Sequence, residues 1–196
     1  MGRPKLGLPV ADGTPLLERP AAALRATCAR LRVVGRLTEP VTAPAGFAAL
    51  QDASPRARQQ DTPGPDGHGP LAGLVAALED GDDGWVLLCA GDLPEVDAVL
   101  VAALQDEAER DPARACLPEG ARGPEPGFSA WPRARAAEVR ARFDAGERAL
   151  HRALPAEALR RWPRTSWQEI GGADALRNLN TPADWHAWSG EALPEA

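Results

Sequence analysis

Trp85-Val86-Leu87-Leu88-Cys89, followed at once by Ala90-Gly91-Asp92-Leu93-Pro94, is the stretch on which the fold turns. Four bulky apolar residues and a cysteine run without alternation, the pattern of a strand covered on both faces. The flanking segments supply the covering layers. Glu95 to Arg110 carries Val96, Val99, Leu100, Ala103 and Leu104 at the spacing of an amphipathic helix. Leu71 to Glu79 predicts a short helix ahead of the strand, with an acidic turn at Asp80 to Gly84 between them. Short apolar runs alternating with longer amphipathic ones predict an α/β domain.

The rest of the chain extends that reading. Thr14-Pro15 reads as the cap and first residue of a helix reaching about Arg30, with Pro20 kinking it or delaying its start. Leu31 to Gly35 predicts a short buried strand, and Ala43 to Arg58 a weak helix or loop. Asp61 to Pro70 is a loop by its prolines and glycines. Arg114 to Leu117 and Phe128 to Trp131 predict strands, and Arg133 to Leu154 helices broken near Gly146. Thr165 to Ile170 reads as an edge strand and Pro182 to Trp188 as a terminal helix. The Arg-rich run from Arg133 to Arg164 reads as solvated helix faces.

With 196 residues the chain has the length of one domain. Its formal net charge of −6 argues against a nucleic-acid partner. No apolar run reaches the roughly 20 residues of a membrane span, and no apolar stretch of a secretory signal follows Met1, so a cytoplasmic protein is expected. The 3 cysteines, Cys28, Cys89 and Cys116, lack metal or disulfide spacing. Among 22 basic residues only Lys5 is a lysine. Its survival in so Arg-biased a chain points to a position where a compact ammonium is needed and a planar guanidinium will not serve.

Other residues could carry chemistry. Asp92 stands directly beyond the buried strand, where open α/β sheets place their ligands, and a carboxylate there can hold Mg²⁺ against nucleotide phosphates. Gly69-Pro70-Leu71-Ala72-Gly73 opens a helix with small residues, so backbone N–H groups there can meet a base or phosphate. Asp61 could reach a ribose hydroxyl or a base N–H. Asn178 and Asn180, two apart in an extended segment ahead of the last helix, face the same way. His68, His151 and His186 have no metal-ligand spacing, and no GxSxG, HExxH or GxxxxGK[ST] motif occurs.

In order, these pieces resemble the molybdenum cofactor guanylyltransferases, a branch of the Rossmann-like nucleotidyltransferases. The resemblance rests on Met1-Gly2-Arg3-Pro4-Lys5, Asp61, Gly69 to Gly73, Cys89 to Pro94, Ala145-Gly146-Glu147-Arg148 and Asn178-Leu179-Asn180-Thr181-Pro182-Ala183-Asp184-Trp185. It implies a three-layer fold with a mostly parallel central sheet, and transfer of GMP from GTP to molybdopterin with release of pyrophosphate. It implies that Lys5 contacts the triphosphate, that Asp61, Gly69, Pro70, Leu71, Ala72 and Gly73 bind guanosine, and that Asp92 holds Mg²⁺ and nucleotide. Asn178 and Asn180 would then lie near the pterin substrate or the metal, and Arg148 near the pterin substrate, with molybdoenzymes or cofactor-delivery proteins as further partners. Two departures accompany it. Gly35 stands where the family usually has a polar residue, and the family's first strand with its LAGGxSxR loop would lie ahead of Met1. The chain therefore reads as a single domain, 1–196, lacking that strand, and is expected to be weakly stable and nearly inactive as written. A nucleotidyltransferase with another base or acceptor, such as a cytidylyl enzyme, and an inactive nucleotide-binding remnant are the alternative readings.

Overall fold

Helices and strands alternate along the computed structural model, which is described over residues 5–35, 37, 41–55 and 69–190. In chain order they are α1 (Glu18–Thr27), β1 (Arg32–Val34), β2 (Ala48–Leu50), α2 (Pro70–Glu79), β3 (Trp85–Cys89), α3 (Ala98–Glu109), β4 (Ala115–Gly120), β5 (Gly123–Pro124), β6 (Phe128–Pro132), α4 (Ala136–Asp144), β7 (Leu159–Trp162), α5 (Arg164–Gly171) and α6 (Pro182–Ser189). The main sheet runs β3-β6-β4, with β7 on β4 and the short β5 folded back on the end of β4. β6 is antiparallel to both β3 and β4, whereas β7 is parallel to β4, so β3, β4 and β7 share one direction. β1 and β2 form a separate parallel pair.

Side-chain alternation divides the sheet into two buried faces. Val86 and Leu88 of β3, with Ala115, Leu117 and Trp131, pack under α2 and α4. Trp85, Leu87 and Cys89 point the other way, joining Cys116, Phe128 and Ala130 under α3. The result is the three-layer α/β arrangement expected.

The β3 strand stands where WVLLC placed it, yet only Val86 is fully buried, while all of β6 is. Among the described residues β3 pairs on one edge only, and so does β1. Both strands line a cavity of about 690 Å³, with Arg32 and Val34 on one side and Trp85 to Cys89 on the other. The expected buried strand at Leu31 to Gly35 is likewise half-buried.

Several local expectations are corrected. Ala48–Leu50 is a strand, where a weak helix or loop was expected. Thr165 to Ile170 lies in α5, not in an edge strand: Trp167 and Ile170 are three apart, which is helical spacing, and the Trp167 indole donates to the Glu119 carbonyl at 3.0 Å. The outer strand is β7 instead, its apolar pattern interrupted by Arg160 and Arg161. α1 begins at Glu18, which leaves Pro20 in the first turn where its missing N–H costs nothing. Thr14 does not cap it; its hydroxyl donates to Asp12 at 2.6 Å.

The Arg-rich run is more than a solvated face. Arg133 donates to the carbonyls of Ala77 and Leu78 at 2.7 and 2.8 Å, closing the C-terminus of α2. Arg140, nearly buried, forks onto Glu79 at 2.9 and 2.5 Å and donates to the Ser54 carbonyl at 3.0 Å. Arg160 and Arg110 both pair with the buried Glu107. These bonds tie the acidic and basic stretches together across the layers.

Candidate active site

Sequence directs several groups to the carboxyl end of β3. Directly after Cys89 the chain makes a turn, with the Ala90 N–H bonded to the Gly127 carbonyl at 2.6 Å. Leu93 and Val96 are sunk in the core and hold that turn from below. Gly91 is required at its apex: a Cβ there would lie 2.8 Å from Leu17 Cδ1 and 3.1 Å from Leu6 Cδ2. That close approach brings the segment around Leu6, and with it Lys5, onto the turn.

Asp92 therefore meets Lys5. The Lys5 ammonium donates to Asp92 Oδ2 at 2.5 Å, to Asn180 Oδ1 at 2.9 Å and to the Leu179 carbonyl at 3.1 Å. The Leu179 N–H in turn donates to the Asp92 carbonyl at 3.1 Å. Asp92 keeps 13% of its side-chain surface exposed and Lys5 25%, so both are open to a ligand while paired. Residues 87 and 175 positions apart from their partners are thus joined at one point.

The 178–180 segment behaves as its spacing predicts. Leu179 is fully buried with Leu8, Val10, Leu16 and Trp185, and Asn178 and Asn180 are exposed on either side of it. Neither asparagine caps α6; Thr181 does, accepting from the Asp184 N–H at 3.1 Å. Asp184 completes a capping box and takes the N–H groups of Thr181 at 2.7 Å and Asn180 at 3.0 Å. The Thr181 bonds, chiefly, hold its carboxyl below the usual carboxylate range. The sequence reading missed both Asp184 and the Leu179 carbonyl as parts of the site. The T-x-x-D signature was there to find the first; no side-chain signal marks a carbonyl.

Gly69 to Gly73 forms the start of α2. That helix is joined to β3 by the tight turn 80–84 and packs against it, so its N-terminus lies toward the carboxyl end of β3. Gly69 has φ +79°, a conformation that side chains other than glycine rarely adopt, and Pro70 occupies the first helical position. Leu71 and Ala72 are fully buried, which gives their side chains to the core. Gly73 admits Val34 and Asp52, at 3.4 and 3.5 Å from where its Cβ would be. Asp61 and His68 lie outside the described residues.

Arg148 sits beside Gly69, its Cβ 3.6 Å from where a Cβ on that glycine would be. Its guanidinium donates to the carbonyls of Phe143 and Glu147 at 2.9 and 2.7 Å and lies 4.7 Å from the Phe143 ring centroid. The contacts of Arg148 thus run to the α2 and α4 ends, while the resemblance groups it with Asn178 and Asn180. Glu147 shapes the turn: its carboxylate accepts from the N–H groups of Ala149 and Arg148, which hold its carboxyl below the usual carboxylate range. Burial pushes the Cys89 and Cys116 thiols up to about 12, which disfavours their thiolate forms.

Asp92 fits a divalent cation of the Mg²⁺ type. It offers a hard carboxylate oxygen at a partly open position, and such a cation is bound by one or two carboxylates with substrate phosphates completing its shell. Among the described residues no group of three or more His, Cys, Asp or Glu side chains could form an all-protein cage. No helix of the described residues is long and apolar enough to cross a membrane.

Comparison with known proteins gives the arrangement its family. Residues 1–160 match the family described as the MobA-like NTP transferase domain. The molybdenum cofactor guanylyltransferase of Pseudomonas syringae is 34% identical over 152 residues, covering 75% of this chain and 73% of that protein. The probable molybdenum cofactor guanylyltransferase of Deinococcus radiodurans is 33% identical over 185 residues, covering 91% of this chain and 82% of that protein. Among solved structures, molybdopterin-guanine dinucleotide biosynthesis protein A of Archaeoglobus fulgidus superposes with a TM-score of 0.70 at 21% identity, over 96% of this chain and 90% of that one. The 2-C-methyl-D-erythritol 4-phosphate cytidylyltransferase of Thermus thermophilus gives 0.64 at 20% identity, over 95% and 93%. These two likenesses speak to the fold, and the sequence relatives to the family. The chain belongs to the molybdenum cofactor guanylyltransferases, within the MobA-like NTP transferases, and is a nucleotidyltransferase.

Proposed function

We propose that the chain transfers GMP from GTP to the phosphate of molybdopterin, forming the guanine dinucleotide cofactor and pyrophosphate. The observation that carries this is the meeting of Lys5, Asp92 and Asn180 at the carboxyl end of β3 in a chain of this family. In the reaction an acceptor phosphate oxygen attacks the α-phosphorus of GTP. The bond from that phosphorus to the oxygen bridging it to the β-phosphate breaks, and the electron pair leaves with pyrophosphate. No protein nucleophile is needed; positioning and charge neutralisation suffice.

Lys5 supplies a compact positive charge for the triphosphate, and Asp92 would hold Mg²⁺. When bound, that ion offsets the charge developing on the leaving pyrophosphate. The backbone at Gly69 to Gly73, with Asp61, binds guanine, and Asn178 and Asn180 present amides to the pterin side. Arg148 closes the helix-start end of the same rim. A cytoplasmic location goes with the use of GTP, and molybdoenzymes or delivery proteins would receive the product. The packing of β1 and β3 against the same helix, α2, supports a single domain.

Base choice tests the reading. With molybdopterin as acceptor, GTP is expected to be used at least tenfold better than CTP or ATP, because a site that hydrogen-bonds one base leaves its groups unpaired with another. Equal use of GTP and CTP, measured as pyrophosphate released, would move the chain to a broader nucleotidyltransferase activity. No turnover with any of them would leave a nucleotide-binding remnant.

A further inference from the structure

Three acceptors surround the only lysine of the chain, and two of them come from a loop that is itself clamped. An ammonium has three donors, so the Asp92, Leu179 and Asn180 oxygens account for all of them. The loop is fixed from two sides. Leu179 is pinned by burial and by its N–H bond to the Asp92 carbonyl. On the other side Asp184 Oδ2 accepts from Asn180 N as well as from Thr181 N. A capping box needs only the Thr181 bond; the second one holds the residue whose side chain meets Lys5.

We infer that Asp184 and Asn180 are positioning residues for Lys5: Asp184 fixes the 179–180 backbone so that the Leu179 carbonyl and Asn180 Oδ1 aim the ammonium across Asp92. The pterin-side loop and the phosphate-side lysine are then one mechanical unit. Asn180 is held at its backbone by Asp184 and holds Lys5 through Oδ1. A phosphate that engages Lys5 exchanges with a neutral oxygen, Asn180 Oδ1 or Leu179 O, more readily than with the charged Asp92. Triphosphate binding is thereby coupled to the state of the Asn180 side chain. The role in catalysis rests on the guanylyl-transfer reading; the positioning itself does not.

The sole lysine makes the test direct. The rate at which an amine-acylating reagent modifies Lys5, followed by mass spectrometry apart from the α-amino terminus, reports how firmly the ammonium is held. Asp184→Ala is expected to raise that rate several-fold, whereas Asp184→Asn, whose Oδ1 still accepts from both N–H groups, stays near the wild-type rate. Asn180→Ala leaves the capping box whole and is expected to raise the rate as well, which keeps the test decisive where Asp184→Ala fails to fold. In GTP turnover, Asn180→Ala is expected to raise the KM for GTP in the wild-type background and to change it little in a Lys5→Ala background. Unchanged Lys5 acylation in a folded Asn180→Ala protein would overturn the inference, as would equal KM effects in both backgrounds. A protein without GTP turnover would refute guanylyl transfer while the acylation result still decides the positioning.

Discussion

Asp92→Asn is expected to lower guanylyl transfer by about 10²–10³-fold while the protein unfolds at close to its wild-type temperature. The substitution keeps the shape and leaves an oxygen to accept from Lys5, so the 2.5 Å contact retains a partner. What it removes is the negative charge, and with it the hard ligand that would hold Mg²⁺ beside the triphosphate. The core residues beneath the turn, Leu93 and Val96, are untouched. The check is kcat at saturating GTP together with a thermal unfolding curve of the same sample. Turnover within a few-fold of wild type would remove Asp92 from the metal role.

Leu71→Ala is expected to act on stability instead. Leu71 looks like part of a ligand-binding stretch in the sequence, yet its side chain is fully buried among Leu74, Leu78 and Val139. Truncating a buried leucine costs about 2–5 kcal/mol. In a domain of this size that corresponds to a midpoint lower by roughly 5–15 °C. At a temperature where the variant is folded, its KM for GTP should remain near the wild-type value. A KM raised tenfold or more without loss of stability would show that Leu71 touches the nucleotide.

The layers of the fold were legible in the sequence because they rest on long, strongly patterned segments. WVLLC, the Leu100 and Leu104 part of the α3 stripe and the Pro182 to Trp188 helix each carry a pattern that tertiary context does not override, although Val96 precedes α3 and Val99 is exposed. The misreadings fall where the pattern is short or mixed. Ala48–Leu50 is a strand of 3 residues with two exposed positions, so its apolar signal is nearly absent. β7 hides behind Arg160 and Arg161, whose charges are answered only in three dimensions, Arg160 by Glu107. α5 was mistaken for a strand because Thr165 and Ile170 are β-branched, although Trp167 and Ile170 follow helical spacing.

The site was legible as residue types and not as a geometry. Lys5, Asp92 and Asn180 stood out singly, by rarity, by place after a strand and by spacing from Asn178. Nothing local says that one ammonium joins the other two. That junction depends on Gly91 admitting Leu6 and Leu17, and on Leu179 being buried, and both are facts of packing. Arg148 illustrates the converse. The resemblance gives it a pterin-side role, and what packing adds is that its guanidinium also holds the carbonyls of its own turn and lies against the Phe143 ring.

The central claim concerns which part of GTP is transferred, and a position-specific label decides it. The protein is incubated with Mg²⁺, molybdopterin and GTP labelled in either the α- or the γ-phosphate, and the products are separated. Transfer of GMP predicts that the α-label moves with guanosine onto the pterin and that the γ-label appears in pyrophosphate. Release of the γ-label as orthophosphate, with no α-label on the pterin, would contradict the account.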